Sequence, residues 1–180
     1  MGEIATLASA WISNDTLFRY SLWRVWQDNK PTCVFIGLNP STADAYRDDP
    51  TIRRCIGYAK SFECGSLLML NLYAYRATDW KRLRGIANPV GEWDYNDIPS
   101  HINQVTHKGG PVIAAWGGNV DAVDGGERAR NVAASISNLQ CLKVSDKTGH
   151  PAHPLYLRKE LTPIPFKYFN RVTPAATVKE

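Results

Sequence analysis

Four short apolar runs constrain this chain more than any other feature. They are TCVFIGL (32–38), SLLMLNLY (66–73), PVIAAWG (111–117) and QCLKVS (140–145). None alternates apolar with polar residues, so each reads as a strand buried on both faces. The segments between them carry helix signals. Asp48-Asp49-Pro50 offers an N-cap followed by proline at the first helical position. This predicts a helix over 50–63, with Ile52, Cys55, Ile56 and Ala59 facing inward and Gly65 closing it. A short helix is expected around Trp80–Ile86, another within 94–107 and an Ala-rich one over 127–139. Strands alternating with helices imply right-handed crossovers and a parallel sheet covered on both faces. The expected fold is therefore α/β, with three layers (α/β/α) around a central four-stranded, mainly parallel sheet. Its strands should lie near 32–38, 66–72, 111–116 and 140–145. Residues 17–26 (LFRYSLWRVW) mix aromatics and arginines at strand-like spacing and end at the Lys30-Pro31 turn.

The 180 residues are 44% hydrophobic, enough for one core and too apolar for wholesale disorder. One domain over 1–160 is expected, with the proline-rich, polar 161–180 as a C-terminal arm or flexible tail. No apolar run approaches the roughly 18 residues of a membrane span. The first residues lack the basic start of a leader, and the Met-Gly opening is not read as an acylation site. Cys33, Cys55, Cys64 and Cys141 form no CxxC pair and have no histidine at ligand spacing. They predict free thiols in a reducing, cytoplasmic setting, with no metal and no cofactor. A net charge of +4 is only a mild bias towards anionic partners.

In parallel sheets ligands gather at the C-terminal ends of the strands. That rule selects Asn39-Pro40-Ser41, Asn71-Leu72-Tyr73 and the loop Gly149-His150-Pro151-Ala152-His153-Pro154. Asn39 either holds a water through its side-chain oxygen or bonds its own turn. Asn71 interrupts an apolar strand, where its amide either reads one edge of a nucleobase or ties down a neighbouring loop. His150 or His153 offers an imidazole to charge developing on a leaving group; metal ligation and simple capping are the rivals. Tyr73 and Tyr75 offer stacking faces, and Ser41, Arg53, Arg54, Arg76 and His153 offer contacts to phosphate. Asp44, Asp48 and Asp49 invite a base or Mg²⁺ role, although helix capping already accounts for Asp48-Asp49-Pro50. Phosphate-loop, dinucleotide, zincin and nucleophile-elbow motifs are absent.

In order, these segments resemble the uracil-DNA glycosylase superfamily, in particular its mismatch-specific uracil and thymine branch. FIGLNPS is similar to the motif whose asparagine holds the hydrolytic water, which implies that role for Asn39. LLMLN is similar to the strand ending in the base-reading asparagine, implying Asn71. VIAAWGG resembles the apolar strand ending at Trp116-Gly117, and GHPAHPL the His-Pro-Ser loop, with His150 as the match and His153 as the alternative. A closer resemblance is to a bacterial and phage domain family of unknown function (DUF1643) bearing LNPSTAD, DDPTIRR, NLxAYRAT, AWG and GHPxHPLY. The chain departs from the glycosylases at Ser41, at Ala152, in the lack of Asp-Pro-Tyr-His and in the 44–54 insert. The resemblance implies a nucleobase-acting enzyme, by hydrolysis of a glycosidic bond or by base transfer, with DNA or a nucleotide as partner. The alternative is a binding module that keeps the fold without turnover. No sequence feature fixes an oligomeric state.

Overall fold

The computed structural model describes residues 7–92, 96–105 and 109–168. Its centre is the set of four buried runs, now Thr32–Gly37 (β3), Ser66–Asn71 (β4), Val112–Ala114 (β5) and Leu139–Cys141 (β6). They lie side by side in the order β4-β3-β5-β6, and every pairing among them is parallel. The sheet is larger than the four strands expected. Leu7–Ile12 (β1) and Arg19–Val25 (β2) form a hairpin that pairs antiparallel onto β4, and Ile164–Pro165 (β7) pairs antiparallel onto β6. The result is one mixed, seven-stranded sheet. Residues 161–168, expected as an arm or tail, belong to the folded body through β7 and the buried Phe166. A proline is tolerated in β7 because an edge strand need not donate on its open side. The remainder of the expected tail lies outside the described residues.

Helices cover both faces. The side chains of Val34, Ile36, Leu68, Leu70 and Val112 pack on one face with Ile98–Val105 (α2) and Glu127–Ala134 (α4). Cys33, Phe35, Leu67, Met69 and Ile113 pack on the other with Pro50–Ser61 (α1). Alternate residues of each strand therefore enter different cores, which is why the runs are apolar without alternation. Each such Leu or Ile, fully withdrawn from water, contributes roughly 1.5–3 kcal/mol. The four cysteines are free and buried in these cores. Among the described residues no helix is long and apolar enough to cross a membrane.

Helix α1 begins as its sequence demands, with Asp49 accepting from the Ile52 amide at 2.8 Å and Pro50 in the first turn. Its end differs from expectation. Glu63 takes the left-handed conformation (φ 58°), and Gly65 serves instead where β4 passes the Gln27 carbonyl. A Cβ on Gly65 would lie 1.8 Å from that oxygen. Ile56 is half-buried, and Tyr58 completes the inward face with Ile52, Cys55 and Ala59. The short helix at 80–86 is a 3-10 turn over Trp80–Gly85, and α4 stops at Ala134 rather than near 139.

The chain runs from β3 through α1 to β4 on one side, then returns to β5 on the other side of β3. This reversal is a topological switch point, the place where α/β sheets leave a crevice beyond the carboxyl ends of their strands.

Candidate functional site

A cleft of about 690 Å³ opens at that switch point. Its floor is the end of two parallel strands. Gly37 of β3 stands in register with Asn71 of β4, and a Cβ on Gly37 would come within 2.7 Å of the Asn71 Oδ1. A glycine is needed here to leave room for the amide. Asn71 is 2% exposed, and neither its Nδ2 nor its Oδ1 has a hydrogen-bond partner. A buried group left unmade costs about 1–3 kcal/mol, so this side chain is expensive to hold in the folded protein alone.

Asn39 stands on the turn after β3. Its Nδ2 donates to the Pro40 carbonyl at 3.1 Å and to the Ala77 carbonyl at 2.8 Å, which spends both amide hydrogens on the main chain. The carbonyl end is what the residue can offer a ligand or water in the cleft it lines. Ser41, one residue past Pro40, lines the same cleft. Asn39 thus ties its turn, and its side-chain oxygen is left as an acceptor.

The histidine loop divides. His153 lines the cleft, and its Nδ1 accepts from the Leu155 amide at 3.3 Å as the cap of a 3-10 turn over Pro154–Tyr156. An accepting Nδ1 requires the neutral ring with its proton on Nε2, and burial pushes the pKa of His153 in the same direction, downward, against a weaker opposite pull from Asp49. His150 is not part of the lining. Its Nδ1 lies 2.9 Å from the Tyr168 hydroxyl and its Nε2 2.8 Å from the Asp121 carboxylate. The Tyr168 hydroxyl also accepts from the Trp116 indole N–H at 3.2 Å. Tyr168 therefore donates to His150, which donates to Asp121, and all of the imidazole's bonding capacity is used. The sequence ranked His150 above His153; the cleft takes the second.

The other expected residues scatter. Tyr73 is buried beside a second cavity, of about 710 Å³, on the α2–α4 face. Tyr75 is buried against Phe18, their rings edge-to-face at 5.6 Å. Arg76 donates to the Thr16 carbonyl at 3.1 Å and does not line the cleft. Arg53 donates to the Asp48 carbonyl at 2.5 Å; Arg54 bonds the Leu157 carbonyl and sits 5.5 Å from the Tyr58 ring centre. Both border a hollow beyond α1 instead of the cleft.

The sequence offers Trp80 as a stacking residue, alongside Tyr73 and Tyr75, and marks Trp116 at a strand end; the structure brings these two tryptophans to the rim. Trp80 and Trp116 line the cleft, and Tyr156, 85% exposed, stands at its margin. The signal was present for Trp116-Gly117, where the third apolar run stops. Tyr156 closes the GHPxHPLY motif, but no feature of the sequence gives it a role. Among the described residues no three metal-ligating side chains cluster, and Asp49 is the one acid that lines the cleft, with Oδ1 engaged on the α1 cap.

Residues 19–155 match the family described as "Protein of unknown function (DUF1643)". The chain belongs to that family, whose span takes in β2 through the second histidine and so every cleft residue just described except Tyr156. No curated protein and no solved structure matches.

Proposed function

We propose that the cleft binds a nucleobase and acts on its glycosidic bond, in DNA or in a nucleotide, in the manner of a uracil-DNA glycosylase-like enzyme. One observation carries the reading: Asn71, at the end of a buried strand, holds a donor and an acceptor side by side, both unpartnered, on the floor of a cleft with aromatic walls. That pair complements an adjacent N–H and carbonyl on a base edge. A flipped base costs a few kcal/mol to unstack, and Trp80 and Tyr156 are placed to return part of this by stacking. In the reaction the carbonyl of Asn39 orients a water towards C1′. The C1′–N bond breaks, the water oxygen bonds to C1′, its proton passes to solvent, and the bonding pair leaves with the base. The neutral His153 Nε2–H donates to that developing anion. His150 serves behind the wall and takes no part in the chemistry.

A second reading, binding without turnover, has one observation in its favour. The acid in the cleft, Asp49, is already committed to capping α1. Oligonucleotides and nucleotides carrying varied bases, followed by mass spectrometry for released base, separate the two. A glycosylase releases one base, and Asn39→Ala abolishes release while binding persists. Salt-sensitive binding with no released base from any substrate favours the binding module.

A further inference from the structure

β2 carries two buried arginines five residues apart, a spacing that places them on opposite faces of a regular strand. They share a face because β2 is irregular. Ser21 pairs with Trp11 of β1, but the next β1 residue, Ile12, pairs with Arg19, so Tyr20 is an extra residue. This bulge turns Arg19 to the side of Leu22 and Arg24, the side on which Met69 and Asn71 lie and which α1 covers. Bulges recur beside functional sites because they re-aim one side chain.

The two guanidiniums then differ in their partners. Arg24 is complete: Nε bonds Asp48 Oδ1 at 2.9 Å, Nη1 bonds the Trp23 carbonyl at 2.7 Å and Nη2 bonds the Asp44 carbonyl at 2.6 Å. Its charge is balanced by Asp48 at 2.8 Å. Arg19 lines the cleft and is 2% exposed, yet it donates only Nη1 to the Ala43 carbonyl at 2.8 Å. Its Nε has no partner. Among the described residues it makes no ion pair. Burial lowers its pKa to about 10, with Asp49 and Asp44 opposing that fall and Arg76 and Arg24 adding to it, so it stays charged at neutral pH.

We infer that Arg19 is an anion-binding residue, and that the molecule this cleft accepts carries a phosphate ester beside its base. The inference rests on the nucleobase reading and adds a charge requirement to it. A base carbonyl would satisfy the Nε–H but leave the buried charge unmatched; a phosphate does both, and its oxygens suit the planar fork of a guanidinium. Ser41 and Thr42 line the same cleft with hydroxyl donors, and Pro50 and Thr51 bring the positive end of α1 to it. The carboxylate of Asp49 opposes an anion there, and its bond to the Ile52 amide holds it to the helix end.

Calorimetry on the full chain tests this with nucleoside 5′-monophosphates, the matching nucleosides, inorganic phosphate alone and a short single-stranded oligonucleotide. The wild type should bind a monophosphate at least about tenfold more tightly than its nucleoside. Arg19→Gln should reduce that gap to under about twofold, and Arg19→Lys should retain part of it. Equal binding of nucleoside and nucleotide by the wild type overturns the inference, as does a gap that survives in a folded Arg19→Gln protein. Should Arg19→Gln fail to fold, the wild type and Arg19→Lys still decide: inorganic phosphate must raise the melting temperature and compete with the nucleotide, and no effect is a refutation. Tighter binding of the oligonucleotide than of any monophosphate assigns the phosphate to a polynucleotide backbone; the reverse assigns it to a free nucleotide. Arg19-dependent phosphate binding without nucleoside binding removes the base reading and leaves the anion site. Asn71-dependent nucleoside binding with no gain from phosphate does the opposite.

Discussion

Behind the cleft, Asp121, His150, Tyr168 and Trp116 are joined in one chain of hydrogen bonds that runs out to the exposed Asp121, and the ring nitrogens of the buried His150 and Trp116 are all matched. On its floor, Asn71 and Arg19 are as deeply buried as His150 and Trp116, yet Asn71 Nδ2 and Oδ1 and Arg19 Nε are matched to nothing. The two regions share Trp116, whose indole closes the first and whose ring borders the second. Folding alone explains the back corner, because a satisfied network lowers the cost of burying its members. Folding alone does not explain the floor, where each open atom detracts from stability. Groups of that kind persist where a ligand completes them, and they trade stability for function.

That contrast is broken most sharply at Asn71. Asn71→Leu removes both open amide atoms and puts an apolar group of similar size among Met69 and Gly37. Ligand binding should fall by about a hundredfold or more, while stability rises by about 1 kcal/mol. Thermal melts and calorimetry on the same preparation check both signs, and a marked loss of stability shows that the amide has a structural role.

The paired histidines give the next largest effect, in crossed form. His150→Ala should cost about 1–3 kcal/mol of stability by removing a buried ring and one partner of the half-buried Tyr168 hydroxyl, while the exposed Asp121 turns to water, with ligand affinity changed by less than about threefold. His153→Gln should cost about 1 kcal/mol or less and lower turnover by about ten- to a hundredfold. Chemical denaturation and single-turnover kinetics would expose a reversal of roles.

Smallest is the effect of pH. Burial holds the His153 pKa below its ordinary value of 6.5, so the unfolded chain takes up this proton before the folded one does. The neutral ring therefore contributes its full share of stability above about 6.5 and loses it as pH falls through that value. His153→Gln should flatten this part of the stability profile, measurable by urea denaturation between about pH 7.5 and 5.

The sequence made the centre of the fold legible because β3 and β4 are buried on both sides, and that burial leaves an unbroken apolar run. β1 is largely exposed and carries no such run, and β7 has two residues, one of them proline. The strand-end rule found Asn39 and Asn71 for the same reason, since the parallel strands carry their ends to one rim. It could not separate His150 from His153. The choice depends on Asp121 and on Tyr168, the latter in a segment whose composition reads as a tail. Tyr73 and Tyr75 follow β4 directly, but the chain turns there and takes them to the opposite core. Arg19 stands in the arginine and aromatic stretch 17–26 that offers contacts to bases and phosphates, but the bulge hid its place in the cleft, because a strand read by alternation assigns it to the wrong face.

Tyr168 places a condition on the order in which the molecule can be finished. The four parallel strands, Asn39, Asn71 and both histidines all precede residue 142 or lie within the loop that ends at Pro154, whereas the hydroxyl that serves both Trp116 and His150 comes later. The sheet and the mouth of the cleft thus draw only on what precedes it, and the wall behind them is closed by a side chain that the chain supplies after its last strand.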